Sequence, residues 1–112
     1  MIVYNVTVNI DHEVHDAWLE WMKEVHIPDV MATGLFTESR MFRVLAEDEG
    51  GLTYAVQYTA ADMAHYERYR DEHAPRLQAD AQAMYGGRFA AFRTLLEVVH
   101  PKPAIQYKLM RQ

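Results

Sequence analysis

The sequence runs to 112 residues, contains no cysteine and carries a formal charge of −5. That length suits one domain with a single core. The missing cysteines exclude disulfide staples, thiolate nucleophiles and cysteine-ligated zinc, and the acidic balance argues against nucleic acid or an acidic membrane surface, both of which are normally met by a basic field.

Ile2, Tyr4, Val6, Val8 and Ile10 alternate with Asn5, Thr7 and Asn9, the two-residue period of a strand. No basic, apolar leader precedes it, and no stretch approaches the ~20 apolar residues of a membrane span, so a cytoplasmic protein is expected. Asp11 is a suitable cap for a helix carrying Val14, Ala17, Trp18, Trp21, Met22 and Val25 at three- and four-residue steps. Pro28 ends or resets that helix before Gly34. Looser alternation from Leu35 to Ala46, a turn at Glu47-Asp48-Glu49-Gly50-Gly51 and the run Leu52 to Tyr58 predict a hairpin. Ala60 to Glu72 is helical in composition, and Pro75 both interrupts it and opens a second helix to Met84. Gly86-Gly87 stops that helix before a final strand over Arg88 to Val99.

The order β-α-β-β-α-β predicts an α+β, ferredoxin-like domain over residues 1–99, with strands one and three central in a four-stranded antiparallel sheet and both helices on one face. Residues 100–112 form a tail with Lys102, Lys108, Arg111 and no acid. Its Ile105, Tyr107 and Leu109 alternate as an extra strand would, and its charge suits contact with an acidic partner.

Such a sheet, alone in water, should have a polar second face. Here Leu35, Met41 and Leu45 oppose Phe36, Phe42 and Val44, and Phe89, Leu95 and Val99 oppose Phe92, Leu96 and Val98. Two apolar faces call for two covers, and a second copy of the chain is the simplest second cover, so a homodimer is expected.

Among six histidines, His12, His15, His65 and His73 read as solvated helix residues, and no metal-ligand pattern surrounds them. His26 follows the Trp18 and Trp21 stripe at an expected helix end, a place for either a dipole contact or a ligand pocket. Asn5, Thr7 and Asn9 form a polar row on a central strand and need partners: one another, or a pocket with Arg40, Arg43, Arg93, Gln57 or Tyr58. A pocket with arginine suits an acid or phenolate. The ligand-pocket candidates are therefore His26, Asn5, Asn9, Trp18, Trp21, Arg40, Arg93 and Tyr58. No phosphate loop, nucleophile elbow or calcium loop is present.

The stretch Tyr4 to Ile10, then Trp18, Trp21-Met22 and His26-Ile27-Pro28-Asp29-Val30, with Thr53 to Tyr58 and Arg88 to Thr94, resembles the bacterial DUF4286 family. The resemblance covers nearly the whole chain up to Val99 and implies membership among the dimeric α+β barrels. That wider group includes cofactor-independent monooxygenases, haem-degrading enzymes, isomerases and ligand-sensing domains. The haem-degrading members use an asparagine on the first strand, a tryptophan and a histidine. Asn5 and His73 match only loosely and the tryptophans sit on the first helix, so no catalytic residue carries over.

Together these readings favour a homodimeric module that binds a small molecule or a protein, with no cofactor, over catalysis. The alternative is a cofactor-independent enzyme, monooxygenase- or isomerase-like, acting on a small aromatic or acidic substrate, with His26 as base and Arg40 or Arg93 orienting it.

Overall fold

The computed structural model describes residues 1–46 and 50–100. The acidic turn Glu47-Asp48-Glu49 and the tail's expected extra strand lie outside the described residues. The strands are β1 (Ile2–Ile10), β2 (Glu38–Arg43), β3 (Leu52–Ala60) and β4 (Phe89–Glu97), in sheet order β2-β3-β1-β4 with every pairing antiparallel. This is the ferredoxin-like arrangement with strands one and three central. The hairpin strand β2 is shorter than expected: Leu35 and Phe36 are both buried in the lead-in, so alternation breaks there.

The first crossover is helical from His12 to Met31, but not uniformly so. A 3-10 turn (His12–Val14) leads into α1 (His15–Trp21), a π-helical turn (Met22–His26) and α2 (Ile27–Met31). Pro28 explains the π turn. In α geometry its ring would meet the carbonyl of Glu24, and it has no N–H to offer that carbonyl. One wider turn, closed by the Ile27 N–H on the Met22 carbonyl, absorbs the misfit and lets the helix continue. Pro28 thus resets the helix, and His26 lies inside it rather than at its end. Asp11 does not cap this crossover. Its carboxylate accepts from Arg88 Nε at 2.9 Å, while Arg88 Nη2 donates to Glu13 at 2.8 Å, tying the helix start to the residue before β4.

The second crossover is α3 (Met63–Glu72) and α4 (Ala74–Tyr85), broken at His73 with Pro75 in the first turn of α4. Asp62 caps α3 by accepting from the His65 backbone N–H at 2.9 Å. Among the described residues, no helix is long and apolar enough to cross a membrane.

The core forms between the helices and one sheet face, around Ile10, Val30, Val56 and Leu77. Tyr4, Phe36, Tyr58, Tyr66 and Tyr69 add an aromatic cluster with ring centroids 4.8–6.3 Å apart. His15, expected in solvent, is half-buried. Its Nε2 lies 2.6 Å from the Tyr54 hydroxyl and its Nδ1 2.9 Å from Asp16, which ties α1 to β3.

Gly51 shows how tightly the sheet closes. It has φ +143, and a Cβ there would lie 2.5 Å from the Ile10 carbonyl oxygen, so a side chain would push β3 off the end of β1.

Leu77→Ala should lower stability by about 3 kcal/mol through the cavity it leaves, whereas Met84→Ala, at a residue 55% exposed on the same helix, should change it by less than about 0.5 kcal/mol. Urea denaturation of both variants checks this; equal midpoints would place the core elsewhere.

Candidate functional site

A cavity of about 330 Å³ lies between the helix-side face of the sheet and both crossovers. β1 contributes Tyr4, Val6 and Val8, β3 contributes Val56 and Tyr58, and β4 contributes Phe89, Ala91 and Arg93. Side-chain alternation accounts for this set, since Val6 stands opposite Val56 on one side and Arg93 on the other, so all three project from the same face. Trp18, Trp21, Met22 and His26 come from the first crossover. Tyr69, Gln78, Gln82 and Tyr85 come from the second.

The π turn shapes one wall. Trp21 and His26 are five residues apart, a spacing that the wider turn brings onto one side, and their rings stack at 5.0 Å. Tyr85 closes edge-on against Trp21 at 5.6 Å. Burial holds His26 below its ordinary proton affinity. Asp29 and Asp80 oppose that effect, and the Arg93 cation reinforces it.

The opposite wall is phenolic. Tyr4 and Tyr58 face each other across β1 and β3 with ring centroids 6.0 Å apart. Arg93 Nε donates to the Tyr4 hydroxyl at 3.0 Å. Burial raises the proton affinity of Tyr4, Tyr58 and Tyr69, so all three stay neutral hydroxyls at physiological pH. The Tyr58 hydroxyl is buried and has no hydrogen-bond partner among the described residues.

Of the residues singled out from sequence, His26, Trp18, Trp21, Tyr58 and Arg93 meet in this cavity. Asn5, Asn9 and Arg40 do not, because they project from the other sheet face. There Asn5 Nδ2 donates to Thr7 and Asn9 Nδ2 to Thr53, each at 3.1 Å, and Arg40 lies 4.8 Å over the Phe42 ring. The pairing of His26 with an asparagine, and of the asparagines with Arg93 or Tyr58, is therefore prevented by the sheet itself. Tyr4, Tyr69, Gln78, Gln82 and Tyr85 are site residues that sequence reasoning missed. For Tyr4 the signal was available, since it shares the parity of Val6 and Val8.

A ferredoxin-like sheet with a lined cavity beneath its helices defines a class of small α+β domains. Residues 1–99 match the model of the domain of unknown function DUF4286, and the chain belongs to that family. No curated protein matches the sequence. Among solved structures, HapK from Hahella chejuensis is similar at TM-score 0.69 and 14% identity, covering 93% of this chain and 98% of that one. SnoaB, a cofactor-independent oxygenase from Streptomyces nogalater, is similar at TM-score 0.66 and 14% identity, covering 91% and 97%. An EthD family protein from Bacillus halodurans is similar at TM-score 0.61 and 15% identity, covering 88% and 100%. At such identities the likeness is one of fold.

Two predictions follow from the geometry. Tyr58→Phe removes an unpaired buried hydroxyl and should raise the urea midpoint, by about 1 kcal/mol in stability; a lowered midpoint would mean that the hydroxyl is satisfied. Because folding depresses the proton affinity of His26, the unfolded chain binds its proton more readily. Stability from this group is complete above the unfolded value of 6.5 and is lost as the pH falls below it toward the folded value. His26→Gln should show a smaller stability loss between pH 7 and pH 5 than the parent chain.

Proposed function

We propose that this protein binds a small, flat, largely aromatic molecule in the cavity between its sheet and its helices, and that it does so as a homodimer. The observation that carries the reading is the cavity. At about 330 Å³ it is of ligand size, walled by Trp18, Trp21, Tyr85 and Phe89, and the buried hydroxyl of Tyr58, one of its lining residues, has no partner among the described residues. A cavity that served only packing would be smaller or fully apolar, because an unpaired buried hydroxyl is costly.

The dimer is supported by the other sheet face, where Phe92 is 64% exposed, Leu96 42% and Phe42 38%. These side chains neighbour the polar row Asn5, Thr7 and Asn9, so two such faces would join apolar flanks around a hydrogen-bonding stripe. The basic residues 100–112 are suited to reach an acidic partner subunit, and a cytoplasmic setting accords with the cysteine-free sequence.

A second reading is a cofactor-independent enzyme, favoured by one feature. His26 is kept neutral by burial in the same cavity as Arg93, which would pair a general base with a cation that steadies a developing anion. Arg40, the other cation named for orienting the substrate, lies on the far face of the sheet, and binding remains the better supported function.

Isothermal titration with 2-naphthol tests the cavity. One site per chain is expected, lost in Ala81→Phe, where Ala81 lines the cavity from α4 and the new ring fills the space, while thermal melting checks that the variant folds; unchanged binding in Ala81→Phe would move the ligand elsewhere. Light scattering tests the dimer. The parent chain should give twice the chain mass and Phe92→Glu the mass of one chain; a monomeric parent would refute the pairing.

A further inference from the structure

Resting on the reading of the cavity as a ligand site, we propose that its phenolic wall is an anion seat, and that the ligand is an aromatic carboxylate or phenolate whose charged oxygen lies between Arg93, Tyr4 and Tyr58. The three residues occupy neighbouring strands of one sheet face: Tyr58 on β3 stands opposite Tyr4 on β1, and Arg93 on β4 stands opposite the next inward-facing residue, Val6.

Their hydrogen bonding is unbalanced toward donors. Arg93 uses Nε on the Tyr4 oxygen, and its two terminal amino groups make no hydrogen bond or ion pair among the described residues. The Tyr4 hydroxyl already accepts from Arg93 and has the Gln78 amide as a second hydrogen-bonding neighbour. The Tyr58 hydroxyl has no acceptor among the described residues. No carboxylate of the described residues pairs with Arg93. A group that accepts several hydrogen bonds and carries negative charge completes this set, and a carboxylate accepts a guanidinium fork and a phenol together. A cationic ligand would be repelled by Arg93, and a neutral hydrocarbon would leave the Tyr58 hydroxyl unpaired.

The rest of the molecule works weakly against an anion, since the formal charge is −5. Part of that opposition is near, since Asp29 and Asp80 act on His26 in the cavity wall, and the rest is screened over a length of about 8 Å at physiological ionic strength. Arg93 lines the cavity while also reaching solvent, Tyr4 and Tyr58 are buried, and hydrogen bonds to a charged group are roughly twice as strong as neutral ones, so the local seat decides. The remaining lining gives the ligand its shape. The Trp21 and His26 stack and the Tyr85 edge offer flat surfaces for a ring, and Gln82 offers an amide.

The test compares 2-naphthoate with 2-naphthamide, which keeps the ring and carbonyl but not the charge, by isothermal titration on the full chain. Naphthoate is expected to bind at least about tenfold more tightly. Arg93→Gln should erase that preference by weakening naphthoate more than the amide, and Tyr58→Phe, which loses only an unpaired oxygen and keeps its fold, should weaken naphthoate several-fold. Equal affinity for the two probes in the parent chain overturns the anion seat and leaves the cavity reading intact. Failure of both probes together with 2-naphthol overturns the seat and the cavity reading alike, and an unchanged preference in Arg93→Gln also overturns the seat.

Discussion

The structure depends on β1. Its nine residues are paired with β3 on one side and β4 on the other, with Ile2, Tyr4, Val6, Val8 and Ile10 on one face and Val3, Asn5, Thr7 and Asn9 on the other. A shift of one residue in either pairing would send Tyr4, Val6 and Val8 to the wrong side and strand the asparagines under the helices. The register is held by that cost, and with it the separation of the molecule into a helix-covered face with a cavity and an uncovered face with exposed phenylalanines.

The cavity arises from two prolines as much as from the sheet. Pro28 forces the π turn that places His26 against Trp21, and Pro75 breaks the second crossover so that α4 turns its Gln78, Gln82 and Tyr85 side toward the space. Helices packed without interruption over Val6, Val8 and Val56 would be expected to fill it, since protein interiors close to crystal-like density. The unpaired Tyr58 hydroxyl then reads as stability given up for a binding contact.

Much of this was legible from local pattern. The alternation in β1, the tryptophan stripe, the proline breaks and the glycine stops gave the element order, and the order gave the topology. Strand parity alone relates Tyr4 to the cavity. It could not relate β1 to β4 or β2, because register between distant strands has no local signal, and so Asn5, Asn9 and Arg40 were grouped with residues on the far side of the sheet. His15 was beyond reach for the same reason: its partner Tyr54 is 39 residues away, and nothing around His15 announces a buried bond. The pairing of Asp11 with Arg88 rather than with its own helix spans 77 residues. Helix capping was inferred from a local preference that a long-range ion pair overrode.

In the proposed arrangement the two faces of one sheet divide the labour, with ligand on the helix side and partner on the other. Amide and indole chemical-shift mapping with 2-naphthol tests it most directly. Shifts are expected at the indoles of Trp18 and Trp21 and at the amides around His26 and Tyr58, with Asn9 and Phe92 unmoved; shifts centred on Asn9 and Phe92 with silent indoles would put the ligand on the wrong face.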